Sequence, residues 1–212
     1  MKIINKSKAL NIIEPSYMAS LAALLWIALY YLPVGGALFR LALPLPVALL
    51  HLRRGTRVAL DGIIVQFFLL IILMGPIRGP LFLFPYGLLS FWLGWSWLKS
   101  KNWWFSWFFG IIIGTFGFLI RVLALSTLVG ENLWVVITRA SYSLIEKICS
   151  LLNIASSPSL ITVQIVAILL IIFQEIIYVL TIHIIAYAVF PKLRSKIPEP
   201  PEVMSGFVDL NL

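Results

Sequence analysis

Apolar residues run along this chain in long blocks, each closed by proline, glycine or a knot of basic residues. A block of roughly twenty apolar residues is what a helix needs to cross the hydrocarbon core of a bilayer. The first spans about residues 17–38, after a basic leader over 1–16 whose Ser16 is placed to cap the helix. It is rich in alanine, and Ala19 and Ala23 make a small-xxx-small pair of the kind that lets a second helix approach closely in lipid. The second, about 43–51, is short: Pro44 and Pro46 interrupt it, and His51, Arg53, Arg54 and Arg57 close it. Those arginines serve as an anchor in water or among lipid headgroups. The third covers about 57–74, interrupted by Asp61 and Gln66, and ends in a Gly-Pro-Ile-Arg-Gly-Pro turn at 75–80. The fourth spans 81–98 and the fifth 103–128. Six tryptophans (Trp92, Trp95, Trp97, Trp103, Trp104, Trp107) crowd the basic loop between them, as in an interfacial belt. Gly110, Gly114 and Gly117 lie on nearly one face of the fifth helix and predict close packing.

Residues 130–159 are less apolar. Arg139, Ser141, Ser143, Glu146 and Lys147 alternate with Ile145, Ile148 and Leu152 at helical spacing, which predicts an amphipathic helix lying in the membrane interface. The sixth span, 161–190, is ended by Pro191, and a polar, proline-rich tail over 192–212 reads as disordered. The predicted fold is therefore all-α. It is a six-element transmembrane bundle over 17–191 whose second element is short, with one interfacial helix.

Composition agrees with the pattern. The 212 residues are 61% apolar and only 11% charged, against roughly a quarter charged in a soluble domain, and the mean hydropathy is +1.03. A net charge of +8 does not point to nucleic acid, because the basic residues sit between the apolar runs. With both ends on one side, Lys2, Lys6, Lys8, Arg53, Arg54, Arg57, Lys99, Lys101, Lys192, Arg194 and Lys196 share that side, and five basic residues lie elsewhere. The positive-inside rule then places both termini on the cytoplasmic side of the membrane. No signal-peptide cleavage site follows the leader, so the first span is expected to be retained. A single cysteine, Cys149, leaves no internal disulfide.

Ionisable residues inside the spans carry the functional signal, since a charge at the bilayer centre costs on the order of 2.5–3.5 kcal/mol. Arg121 falls roughly 28 Å along the fifth helix from its start. There it either snorkels to the outer headgroups or lines an outward pocket for a carboxylate or phosphate. Gln174 and Glu175 sit near mid-membrane. Glu175 is either a buried structural partner or a ligand or proton site, with Arg121, Gln66 or Tyr178 as its candidate partner. Asp61, four residues from Arg57, is expected to pair with it. His51 and His183 stand apart from any acidic group at ligand spacing, so no metal site is expected. A P-loop, a nucleophile elbow and a carboxylate dyad are all missing from the sequence, and neither enzymatic activity nor a cofactor is expected.

The order of these elements resembles a known family. It combines an alanine-rich first helix, a proline-broken second element, the junction Arg54-Gly55-Thr56-Arg57-Val58-Ala59-Leu60, and the sequence Pro85-Tyr86-Gly87-Leu88-Leu89 opening the fourth span. It is similar to the YybS-like family of bacterial membrane proteins, in its cyanobacterial branch, and more distantly to the substrate-binding S components of energy-coupling-factor (ECF) transporters. The resemblance implies a six-helix bundle with a ligand pocket on its outer side. It also implies docking through the Ala19–Ala23 ridge onto a T-type membrane subunit driven by two ABC ATPases. No ligand-contact motif of a vitamin S component matches, so no substrate is carried over. The expected function is thus an S-component-like solute-binding or transport module. The alternative is a scaffold, assembly factor or accessory subunit of a larger membrane complex. A polar-lined cavity between the outer helix ends separates the two.

Overall fold

A computed structural model describes residues 6–151 and 158–201; these are mostly helical, joined by short turns and ending in an irregular segment, with no strand among them. In chain order they form α1 (Lys6–Tyr31), α2 (Gly36–Ala42), α3 (Leu45–Arg54), α4 (Thr56–Arg78), a 3₁₀ turn (Pro80–Leu83), α5 (Tyr86–Leu98), α6 (Trp103–Val129), α7 (Leu133–Leu151) and α8 (Leu160–Val189). Six segments are long and apolar enough to cross a membrane: α1, α2 with α3, α4, the 3₁₀ turn with α5, α6, and α8. The amphipathic α7 is not among them. Large apolar side chains such as Ile72, Phe116, Leu123 and Phe173 stand on the outer surface, as a lipid-facing wall requires.

The centre of the bundle is α3. Every residue from Pro46 to His51 is buried, against α5, α4 and α1. A helix enclosed on all sides needs small residues on its neighbours. Gly94 of α5 provides one, because a Cβ there would come within 2.5 Å of His51 Cβ and 3.1 Å of Ala48 Cα. The fully buried core also includes Trp26, Leu43, Leu50, Phe82, Leu89 and Leu93. His183 is buried too: Nδ1 donates to the Val179 carbonyl at 2.8 Å, which leaves Nε2 to accept from Ser106 Oγ at 3.0 Å.

Several boundaries differ from expectation. The first helix does not start after Pro15 but runs through it. The Pro15 ring is buried beside Gly62 of α4, and Ser16 Oγ donates back to the Ile12 carbonyl instead of capping. It also ends sooner, at Tyr31. Gly35, at φ +89°, breaks the chain so that 36–42 forms α2, the opening half of the second crossing. Asp61 and Arg57 are exposed on α4, and the expected pair between them is not made. Of the six tryptophans, Trp97 and Trp103 turn inward and pack their rings on His183, centroids 5.3 and 5.2 Å away.

Residues 192–201, expected to be part of a free tail, lie against the bundle. Trp103 Nε1 donates to the Pro198 carbonyl at 2.7 Å. Arg53 donates to the Leu193 carbonyl at 2.6 Å and to Ser195 Oγ at 3.4 Å, and Ile197 is buried. The buried indole N–H of Trp103 needs an acceptor, and this segment supplies it. The remainder of the tail, 202–212, and the part of the 130–159 segment at 152–157 lie outside the described residues. At the same end of the bundle Arg54 makes a two-pronged ion pair with Glu14, at 2.6 and 2.9 Å. Of the three arginines expected as an anchor, Arg53 and Arg54 thus hold chain segments, while Arg57 is exposed.

Candidate functional site

Arg121 lies 18 residues into α6, roughly 27 Å along it from Trp103. It is therefore at the end of the bundle away from Arg53 and Arg54. Its guanidinium, half-buried, lies against aromatic side chains. Nη2 donates to Tyr30 Oη at 3.0 Å and Nη1 to Tyr86 Oη at 3.4 Å. The group sits 5.2 Å from the centre of the Trp26 ring and 5.7 Å from that of Tyr86. Trp26 in turn packs edge-on against Tyr30, Phe82 and Tyr86. Four aromatic rings from α1, the 3₁₀ turn and α5 thus form a rigid seat for one cation, where ring quadrupoles and phenol oxygens both favour positive charge.

Beside that seat is a cavity of about 210 Å³, whose wall includes Arg40, Tyr86, Arg121, Gln174, Glu175 and Tyr178, with Pro85, Phe118 and Leu125 as apolar lining. Each charged group arrives from a different element: Arg40 from α2, Arg121 from α6, Glu175 from the middle of α8. Tyr178 Oη donates to the Arg40 carbonyl at 2.9 Å. That carbonyl belongs to the last turn of α2, where a helix leaves its C=O groups without internal partners. The bond therefore closes α2 and fixes it against α8. Glu175 is 3% exposed, and its Oε2 has no hydrogen-bond partner.

Two glycines of α6 create this arrangement. The carboxyl of Glu175 lies where a Cβ on Gly114 would be, and a Cβ on Gly117 would come 2.6 Å from Pro85 Cα, at the start of α5. The glycine face read from sequence is thus spent at the site, receiving a carboxyl group at one turn and a backbone at the next.

Arg121, Glu175 and Gln174 come together around one cavity. Gln66 does not line it. Fully buried in α4, Gln66 has neither amide atom hydrogen-bonded. Ala19 and Ala23 are 0% and 1% exposed and belong to the inner packing of α1 on α4 and α3. Sequence reasoning expected that ridge to meet a partner. Its contact is internal, and no partner reaches it while the bundle is closed. Arg40 and Tyr86 escaped notice. Arg40 carries a visible signal, an ionisable residue within an apolar run, but it reads as a loop residue unless the chain break is placed at Gly35.

A wider cavity of about 670 Å³, lined by Tyr30, Gly75, Arg78 and Leu81 among others, shares Arg121 and Leu125 with the narrow one. Arg121 is thus a common wall. Chemically the narrow cavity offers two guanidinium groups, one carboxyl, two phenols and an amide. Such a set binds and orients, and it contains no nucleophile–base pair.

A family model described as "Predicted membrane protein (DUF2232)" matches residues 20–204. No curated protein and no solved structure matches the chain.

Proposed function

The chain belongs to the DUF2232 family of predicted membrane proteins, and we propose that it is a non-enzymatic integral membrane protein that binds a small solute, in the manner of an ECF-transporter S component. One observation carries this reading: Arg121 and the buried carboxyl of Glu175, from two different helices, line one mainly apolar cavity without a direct ion pair between them. In a merely structural bundle a buried carboxyl finds a hydrogen-bond partner, because leaving its oxygen unsatisfied is costly whether it is charged or neutral, and Glu175 Oε2 has none. The similarity to the YybS-like proteins points the same way. Any energy for transport comes from a partner, a T-type subunit with two ATPases, since the sequence carries no phosphate-binding loop of its own. The basic residues at the Arg53–Arg54 end favour placing both termini in the cytoplasm and the cavity on the outer side.

The alternative, a scaffold or accessory subunit of a larger complex, draws support from α7, which exposes Val136, Leu144 and Ile148. Purification of the tagged full chain in mild detergent separates the two. Mass spectrometry is applied to the small molecules released on denaturation and to the proteins retained. A solute released in near-stoichiometric amount, with a T-type subunit and ATPases, is the expected result. No released solute, no thermal stabilisation by a broad set of water-soluble metabolites, and retention of an unrelated membrane complex would replace it with the scaffold reading.

A further inference from the structure

We infer that the solute is a small zwitterion, a carboxylate and a protonated amine on one compact, partly apolar body. This rests on the solute-binding reading above and concerns the same narrow cavity. Among the described residues the ion pair that forms is Arg54–Glu14, so Arg121 and Glu175, which line the cavity together with Arg40, make no direct ion pair with each other or with Arg40. Arg121 is held in place by two bonds to phenol oxygens, and a guanidinium has five N–H donors. Three therefore remain, enough for a two-pronged grip on a carboxylate. The position of Arg40 at its root is fixed by the Tyr178 bond to its carbonyl.

Electrostatics narrows the choice. A neutral solute leaves the Arg121 guanidinium without an anion. A simple cation meets that guanidinium head-on. A simple anion satisfies Arg121 but leaves Glu175 Oε2, buried and without a hydrogen-bond partner, as it was. A carboxylate turned toward Arg121, with an ammonium turned toward Glu175, answers both groups, while Arg40 is exposed at the cavity wall. Size sets the other bound. At about 210 Å³ the cavity falls below the roughly 300–1,000 Å³ of sites for drug-sized ligands, and Phe118, Pro85 and Leu125 offer an apolar wall for the body of the molecule.

The test uses the full chain in lipid nanodiscs and three matched sets of probes. These are leucine and phenylalanine; the same skeletons without the amine, 4-methylpentanoate and 3-phenylpropanoate; and those without the carboxylate, isoamylamine and phenethylamine. Thermal shift and titration calorimetry are expected to show binding by a zwitterion, weakened about tenfold or more when either charged group is removed. Glu175→Gln is expected to abolish the preference for the zwitterion over the amine-less acid, and Arg121→Lys to weaken both while keeping the preference. Equal binding of zwitterion and amine-less acid by the unaltered protein, or no binding by either zwitterion, overturns the inference, and this comparison does not depend on any variant folding. The solute released from purified protein separates the two levels of the argument. A released molecule that is not zwitterionic removes this inference and leaves the solute-binding reading standing, whereas no released solute and no stabilisation by any metabolite removes both.

Discussion

The carboxyl group of Glu175 occupies the space that a side chain on Gly114 would fill, so that an added Cβ meets Oε2 of a residue on another helix. One turn further along α6, the same kind of contact sets Gly117 against the backbone of Pro85. These contacts differ in what can give way, and their substitutions should fail differently. Gly114→Ala displaces the free end of a flexible side chain. Stability is expected to stay within about 1 kcal/mol of the parent, helped by the better helix propensity of alanine, while solute binding weakens about tenfold or more. Gly117→Ala presses on a backbone 2.6 Å away. Overpacking of about 1–3 kcal/mol should lower the thermal midpoint. Unfolding scans beside binding titrations decide the matter, and equal behaviour of the two variants would contradict the difference.

Ala19→Leu and Ala23→Leu place extra methylenes where α1 leaves no room, both residues being at most 1% exposed. Each is expected to destabilise the isolated protein by about 1–3 kcal/mol. A partner-facing ridge would behave otherwise: the monomer would keep its stability and only co-purification would suffer.

Limited trypsin digestion reads the segment after α8. Lys192, Arg194 and Lys196 are exposed, but their neighbours Ser195 and Ile197 are buried. The double variant Trp103→Phe, Arg53→Met removes the bonds to Pro198, Leu193 and Ser195. At about 0.5–1.5 kcal/mol per hydrogen bond, cleavage at these sites should quicken about tenfold or more, provided opening is fast relative to cleavage. An unchanged rate would mean that the segment is not held.

Orientation is checked with single cysteines in a Cys149→Ser background. Replacements at Lys101 and Lys196 are expected to react only from the cytoplasmic side, and one at Val34, which is 80% exposed, only from the opposite side. Labelling of Lys101 and Lys196 from different sides would break the six-crossing topology.

The bundle was legible in the sequence because apolar length alone dictates a span, and each run in the pattern corresponds to a helix or a helix pair. Arg121 and Glu175 were legible for a related reason, since an ionisable group in an apolar run must be accommodated somewhere. What they face was not. The aromatic seat joins Trp26 and Tyr30, four apart on α1, to Phe82 and Tyr86 from a distant part of the chain, and no local spacing relates the one pair to the other. Ala19 and Ala23 misled for a definite physical reason: a ridge of small residues looks identical whether the helix against it belongs to the same chain or to another. The segment at 192–201 misled because proline-rich polar composition reports its own lack of apolar surface. It says nothing about a tryptophan N–H almost a hundred positions earlier that requires an acceptor.

Adjacent residues at the end of α3, Arg53 and Arg54, fasten opposite ends of the chain, one holding Leu193 and the other Glu14. Fraying of that single helical turn would release both segments together, although nearly the whole sequence separates them. Amide hydrogen exchange should accordingly find the stretches around Glu14 and Leu193 opening as one cooperative unit, with a shared free energy of opening below that of the buried α3–α5 contact.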